Sequence, residues 1–262
     1  MQTAKQTRPL IILAGMSPEA PPVWVTHLRE NLGTEYTFTH LNDRERTVSR
    51  LADDHAALIL VDGDGDDPQF WTATPKASPA TRRIPVFVVS DNADQRSTAL
   101  LQGADLTLSP DDAIKDAPRL IKDFARMLDP AVMAQLECDC LEALPDLAKQ
   151  GVEKFNAGEF YKQHDLFEEL WMATDSPVRD LYRAILQVGI AYFQILRGNH
   201  RGARKMLLRS VQWLNILPDQ CQGVDVNALR EDSARVRAIL ETLSENDIDQ
   251  FDKTLLQPVK WK

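Results

Sequence analysis

Residues 58–62, Leu58-Ile59-Leu60-Val61-Asp62, decide the reading of the amino-terminal half. Four consecutive apolar side chains have no polar face to turn to water. The strand they form, at 57–61, must therefore be covered on both sides. Asp62 then stands just past its carboxyl end, where open parallel sheets bind ligands and do chemistry. Working outward, residues 10–13, 36–40, 84–89 and 106–108 read as four more short strands. Amphipathic stretches at 22–32, up to Leu51, at 92–102 and at 112–128 fill the intervals as helices. The segment 72–80 holds Pro75 and Pro79 and is expected to run as a loop. Strands alternating with helices predict an α/β fold, a doubly wound five-stranded parallel sheet.

The pattern changes at Pro130. Strands are not expected beyond it. Helical periodicity runs over 132–147, broken at Pro145, then over 151–157, 159–173, 177–196, 199–217 and 225–243, with a tail through Trp261. Gly158, Pro177, Gly198 and Pro218 punctuate these segments. Short connections between helices predict an all-α bundle with antiparallel neighbours. The reading is an α/β domain at 1–128, a connecting helical segment at 129–147 and a helical bundle at 148–262.

Composition narrows the function classes. The 262 residues carry 30 Lys and Arg against 39 Asp and Glu, a formal net charge of −9. So acidic a chain does not hold nucleic acid or an anionic membrane by its overall field. Cys138, Cys140 and Cys221 include no C-x-x-C pair and imply no disulfide framework. The start, MQTAKQTRPL, lacks the apolar core of a signal peptide, and no run approaches the length of a membrane span. A cytoplasmic protein is expected.

Around Asp62 the first 120 or so residues resemble the receiver domain of bacterial response regulators. The resemblance implies a phosphoryl-accepting aspartate at Asp62 and a hydroxyl partner at Ser90. It also implies acids after the first strand to hold a divalent metal, and a lysine after the fifth. Cations are needed because phosphoryl transfer to a carboxylate brings like charges together. This chain has Ala14 and Gly15 in place of the acids, and Ser109, followed by Pro110, in place of the lysine. Asp64, Asp66 and Asp67 crowd the next loop without an obvious counterion, either recruiting a metal or solvating the loop. A degenerate receiver, kept for folding and docking, is the preferred reading over phosphorylation at Asp62. Asp62, Ser90 and Asp91 also fit turn or helix-cap roles.

In the second half, His164 and Glu168 lie four apart on one helix face in H-D-L-F-E-E-L-W (164–171). The wheel places His164 beside Trp171 in the apolar arc, with Glu168 at its margin. The next segment is apolar nearly all round and reads as central and buried. Gln187 interrupts it and is expected to bond His164 or Glu168. Asn156, Phe160, the His164 motif, Gln187 and G-N-H-R-G-A (198–203) fall in the order of a bacterial family catalogued as domain of unknown function 309. The resemblance spans about 148–217 and implies a compact helical bundle without an established activity.

Three functions remain open. The first is a regulatory protein that acts on a protein partner by docking, and it is preferred. The second is a metal-assisted hydrolase using His164 and Glu168 with Gln187, a divalent metal being the only cofactor the residues suggest. The third is a phosphorelay regulator acting through Asp62. Against the second, His164 and Glu168 lack the wider constellation of a metal or catalytic site, and a buried polar pair is the plainer reading. Arg197, Arg201, Arg204, Lys205 and Arg209 form a cationic stripe with no acid between them. It is either an anion-binding face or a solvated one. Nucleic acid is disfavoured, because it asks for aromatic platforms and a more basic domain.

Overall fold

The computed structural model describes residues 8–262; residues 1–7, the start of the stretch read above for a signal peptide, lie outside it. The chain divides between Met127 and Leu128 into two compact units. In the first, β1 (Leu10–Ala14), β2 (Thr37–Leu41), β3 (Leu58–Asp62), β4 (Val86–Val89) and β5 (Leu106–Leu108) form one parallel sheet in the order β2-β1-β3-β4-β5. The chain thus has an α/β doubly wound sheet followed by a helical unit.

Alternation along the central strands explains why they are apolar on both faces. Ile11, Leu13, Leu58, Leu60, Phe87 and Val89 face one core, shared with Trp24, Val25, Leu28 and Leu32 of α1 (Val23–Leu32) and with Ala117 and Ile121. Ile12, Ala14, Ile59, Val61, Val86 and Val88 face the other, with Leu51 of α2 (Thr47–Asp53) and Trp71. The three central strands, β1, β3 and β4, are buried on both sides, as a parallel sheet with two helical layers requires, while the edge strands β2 and β5 are partly exposed. The reversal of strand order lies between β1 and β3, so Ala14 and Asp62 mark the switch point beyond which such sheets form a ligand crevice.

Two local expectations are corrected. The segment expected as a loop contains most of α3 (Pro68–Ala77), with Pro75 inside it. Asp67 caps this helix by accepting from the Phe70 amide, and Pro68 occupies the first turn, where its missing N–H costs nothing. Burial of Trp71 and Thr72 offsets the one backbone bond lost at Pro75. The single helix expected at 112–128 is two, α5 (Pro110–Lys115) and α6 (Ala117–Phe124), because Pro118 belongs in a first turn. Between β4 and β5 in the chain, α4 (Ala93–Leu101) is capped by Asn92.

The second unit contains α7 (Pro130–Asp139), α8 (Asp146–Asn156), α9 (Phe160–Ala173), α10 (Arg179–Leu196), α11 (His200–Leu214) and α12 (Val226–Thr242). Helix α10 is its centre, with Leu181, Ile185, Val188, Ala191, Tyr192 and Ile195 buried. Two glycines permit close helix approach. A Cβ at Gly189 would stand 2.3 Å from Gln163 Nε2, and one at Gly151 2.7 Å from the Phe167 ring. The 129–147 segment is no mere connector, since Leu136, Cys140 and Leu144 lie in the core of this unit.

Strands do not vanish after Pro130. β6 (Gln220–Cys221) and β7 (Val224–Asp225) form a small hairpin, and Val224 also bridges Trp261. The cysteine reading is corrected as well: Cys140 and Cys221, 81 residues apart, form a disulfide, while Cys138 is free and exposed. The Gln222 amide donates to Cys140 O (2.7 Å), and the Tyr182 hydroxyl donates to Gln222 Oε1 (2.8 Å), bracing the junction. Among the described residues no helix is long and apolar enough to cross a membrane.

Candidate functional site

Asp62 ends β3 opposite Val89, and the next amide, Gly63 N, donates to Val89 O. From there residues 63–67 fold back over the end of β1. The Asp66 amide donates to Gly15 O (2.9 Å), and a Cβ at Gly65 would lie 1.9 Å from that same oxygen. Gly15 itself has φ +75, a conformation that side-chain-bearing residues rarely adopt. The place expected of metal-holding acids is thus filled by backbone.

The loop supplies its own anion. Ser90 Oγ donates to Asp64 Oδ1 (2.6 Å), and the Asp91 amide donates to Asp64 Oδ2 (2.8 Å). With its amide nitrogen facing the loop, Gln95 donates to Gly63 O and to Asp64 Oδ1 (2.9 Å). Ser90 is therefore engaged by Asp64 and not by Asp62, whose carboxylate, among the described residues, accepts only the Asp64 amide (3.2 Å). Burial pushes the Asp62 carboxyl above the ordinary aspartate range. The Asp64 amide pulls it back in part, and the Asp64 carboxylate adds to the rise. Among the described residues no Lys or Arg pairs with Asp62 or Asp64. Arg96, the nearest guanidinium in these contacts, donates to the Ser90 and Asp91 carbonyls instead.

Ser109 caps α5, accepting the Asp112 amide and donating to Asp112 Oδ2 (2.6 Å). Asp67 does have a counterion. Arg44 pairs with it at 2.5 Å while lying 4.2 Å above the Phe70 ring, and this holds the Asp67 carboxyl below its usual range. Sequence reasoning missed Asp64 as the partner of Ser90 and Gln95 as the third member. Their only signal was an acid two residues past Asp62.

In the helical unit, His164 meets a carboxylate, but a different one. Its Nδ1 lies 3.1 Å from Asp165 Oδ1, and its ring stacks with Tyr161 at 6.2 Å. Glu168 is exposed, so the expected pair drawn against the core does not form. Gln187 bonds neither residue; its side chain is buried with Oε1 lacking a partner. The residue that α9 sends into the core is Gln163, whose Nε2 donates to Leu186 O (3.3 Å). One helical position separates it from His164, and that rotation is enough to exchange a buried face for a half-exposed one. Among the described residues no three His, Cys, Asp or Glu side chains converge as metal ligands would.

The remaining motif residues have structural partners. Asn156 clamps the carboxyl-terminal tail, donating from Nδ2 to Val259 O (3.0 Å) and accepting from Val259 N (2.7 Å). Asn199 caps α11 by accepting the Gly202 amide and donates to Gln194 Oε1. Gly198, at φ +72, makes the turn between α10 and α11. Asn156→Ala is expected to cost about 1–2 kcal/mol through two lost hydrogen bonds. Thermal unfolding and cleavage of the tail by carboxypeptidase measure this, and an unchanged tail would refute the clamp.

With this geometry in view, comparisons place the two units unequally. A solved structure of a protein described as a response regulator, from Chloroflexus aurantiacus J-10-fl, aligns over 44% of this chain and 99% of its own at 14% identity, with a TM-score of 0.35. At that score the α/β assignment rests on strand order and register. An uncharacterized protein of Aquifex aeolicus (strain VF5) is 23% identical over 86 residues, 32% of this chain. The chain spans about a quarter of that relative's length, 26%. Residues 148–206, from α8 into α11, match the model of the family described as domain of unknown function (DUF309), and the helical unit carries that match.

Proposed function

We propose that the protein is a regulatory, interaction-type molecule in which a pseudo-receiver domain is coupled to a helical domain and acts by docking to a protein partner. One observation carries the reading. The Asp64 carboxylate already takes the Ser90 hydroxyl and the Asp91 amide, donors that an incoming phosphoryl group on Asp62 would need. A second negative group beside it would meet repulsion from Asp64 with no cation to offset it. The Ser109 cap and the loop over Gly15 support the same reading from the two other corners of the crevice.

The test is chemical. The full chain, incubated with magnesium and acetyl phosphate, is expected to show no phosphate mass increment. Its melting temperature is expected to be unmoved by beryllofluoride with magnesium. The double variant Asp64→Asn/Ser109→Lys, which lowers the negative charge and supplies a cation, is expected to gain a beryllofluoride response. Phosphate incorporation in the wild type that is lost in Asp62→Asn would replace this reading by a phosphorelay one.

A further inference from the structure

Residues 181–218, which include most of α10 and all of α11, carry six Lys or Arg and no Asp or Glu, in a chain of net charge −9. The Asn199 cap sets the phase of α11, and Arg201, Lys205 and Arg209 then recur every four residues along one face, about 6 Å apart in rise. Arg197 and Leu196 precede them at the exposed end of α10. Arg201 and Lys205 are exposed and Arg209 is half-buried. Among the described residues no acid pairs with Arg197, Arg201, Arg204, Lys205 or Arg209. Like charges at this spacing repel one another.

At the far end of the strip, arginines stack on tryptophan rings. The Arg183 guanidinium lies 4.3 Å from the Trp171 ring and 4.1 Å from the Trp213 ring, and Arg179 lies 5.5 Å from Trp171. Buried indole N–H groups of Trp171 and Trp213, and Arg179 Nε, have no acceptor. Positive charge is in surplus from Arg197 to Arg209, with no Asp or Glu in the interval.

We propose that this face of α10 and α11 docks an acidic helical segment of a protein partner. A helix bearing glutamates at i, i+4 presents carboxylates at the same ~6 Å interval as the cations. Leu196 adds an apolar contact at one end. Single-stranded nucleic acid fits less well, because it stacks its bases on open aromatic faces. Here Trp171 and Trp213 are turned onto guanidinium groups. The proposal concerns a different surface from the crevice at Asp62 and stands whether or not that residue accepts phosphate.

The experiment uses the full chain and fluorescein-labelled alanine-based peptides in low salt, read by anisotropy. One peptide has glutamates at i, i+4; a second has the same composition broken by central prolines. Labelled oligothymidylate of matched charge is the third probe. The helical peptide is expected to bind, more tightly than the broken one or the oligonucleotide. Arg201→Glu/Lys205→Glu/Arg209→Glu is expected to weaken binding about tenfold or more, with an unchanged circular dichroism spectrum. Should the triple variant fail to fold, Lys205→Glu alone, on an exposed side chain, is expected to weaken binding about threefold. No binding of the helical peptide, equal binding of the broken one, tighter binding of the oligonucleotide, or indifference to these substitutions would each overturn the proposal.

Discussion

Replacing Cys221 by serine is expected to lower the melting temperature of the helical unit in the full chain by on the order of 10–20 °C. The disulfide closes a loop between positions 81 residues apart, and tying that loop in the unfolded chain is worth about 4–5 kcal/mol in the loop-closure model. Both sulfurs are buried, so the substitution also places a hydroxyl among apolar neighbours. The same shift is expected when the wild-type chain is melted with dithiothreitol, and no further shift when the reductant is added to Cys221→Ser. A wild type that melts at the same temperature with and without reductant would remove the disulfide from the account of stability. Cys138→Ser is the control, since that thiol is exposed and unpaired.

The second large effect separates the packing residue of the H-D-L-F-E-E-L-W motif from its charged ones. Phe167 is wholly buried, with its ring against the bare Cα of Gly151 and stacked 6.4 Å from Tyr182. Phe167→Ala is expected to cost about 3–5 kcal/mol, because the cavity forms where α8, α9 and α10 meet and helical backbones cannot close it. Glu168→Gln, one residue on, is expected to stay within about 0.5 kcal/mol, since that side chain is exposed. Denaturant unfolding of the two variants measures both numbers. If Glu168→Gln proved as damaging as Phe167→Ala, the carboxylate would have a partner that the geometry does not contain.

The crevice in the first unit shows how far residue types alone carry an argument. Asp62 at the end of a doubly buried strand and Ser90 after the next strand are readable from local pattern, whereas Ser109, Ala14 and Gly15 stand out only against the receiver resemblance. That Asp64 turns back onto Ser90 is readable from neither. It depends on Gly65, whose position admits no side chain against Gly15 O, and on Gln95 reaching across from α4. Three strands contribute to this contact, and no sequence interval records it.

The helical half shows the same limit in a different form. Periodicity locates α9 and shows that one of its faces is buried. Whether Gln163 or His164 points inward depends on a rotation of one residue, which is set by how closely Gly189 lets α10 approach. Helical periodicity tolerates that rotation, so the wheel placed Glu168 at the core margin when it faces solvent.

Sequence alone determined the five strands of the sheet, the two-sided burial of its central strands, the six helical segments of the second half and the run of cations at 197–209 with no acid between them. These follow from hydrophobic period and composition, which act over a few turns or strand pairs. Tertiary structure decided the Cys140–Cys221 pairing, the Asp64–Ser90 contact, the Asn156 clamp on Val259 and the exposure of Glu168. Each of these except the last joins residues between 26 and 103 positions apart. Such contacts form only when distant segments are brought together by burial of the core, and the same packing sets which way Glu168 faces.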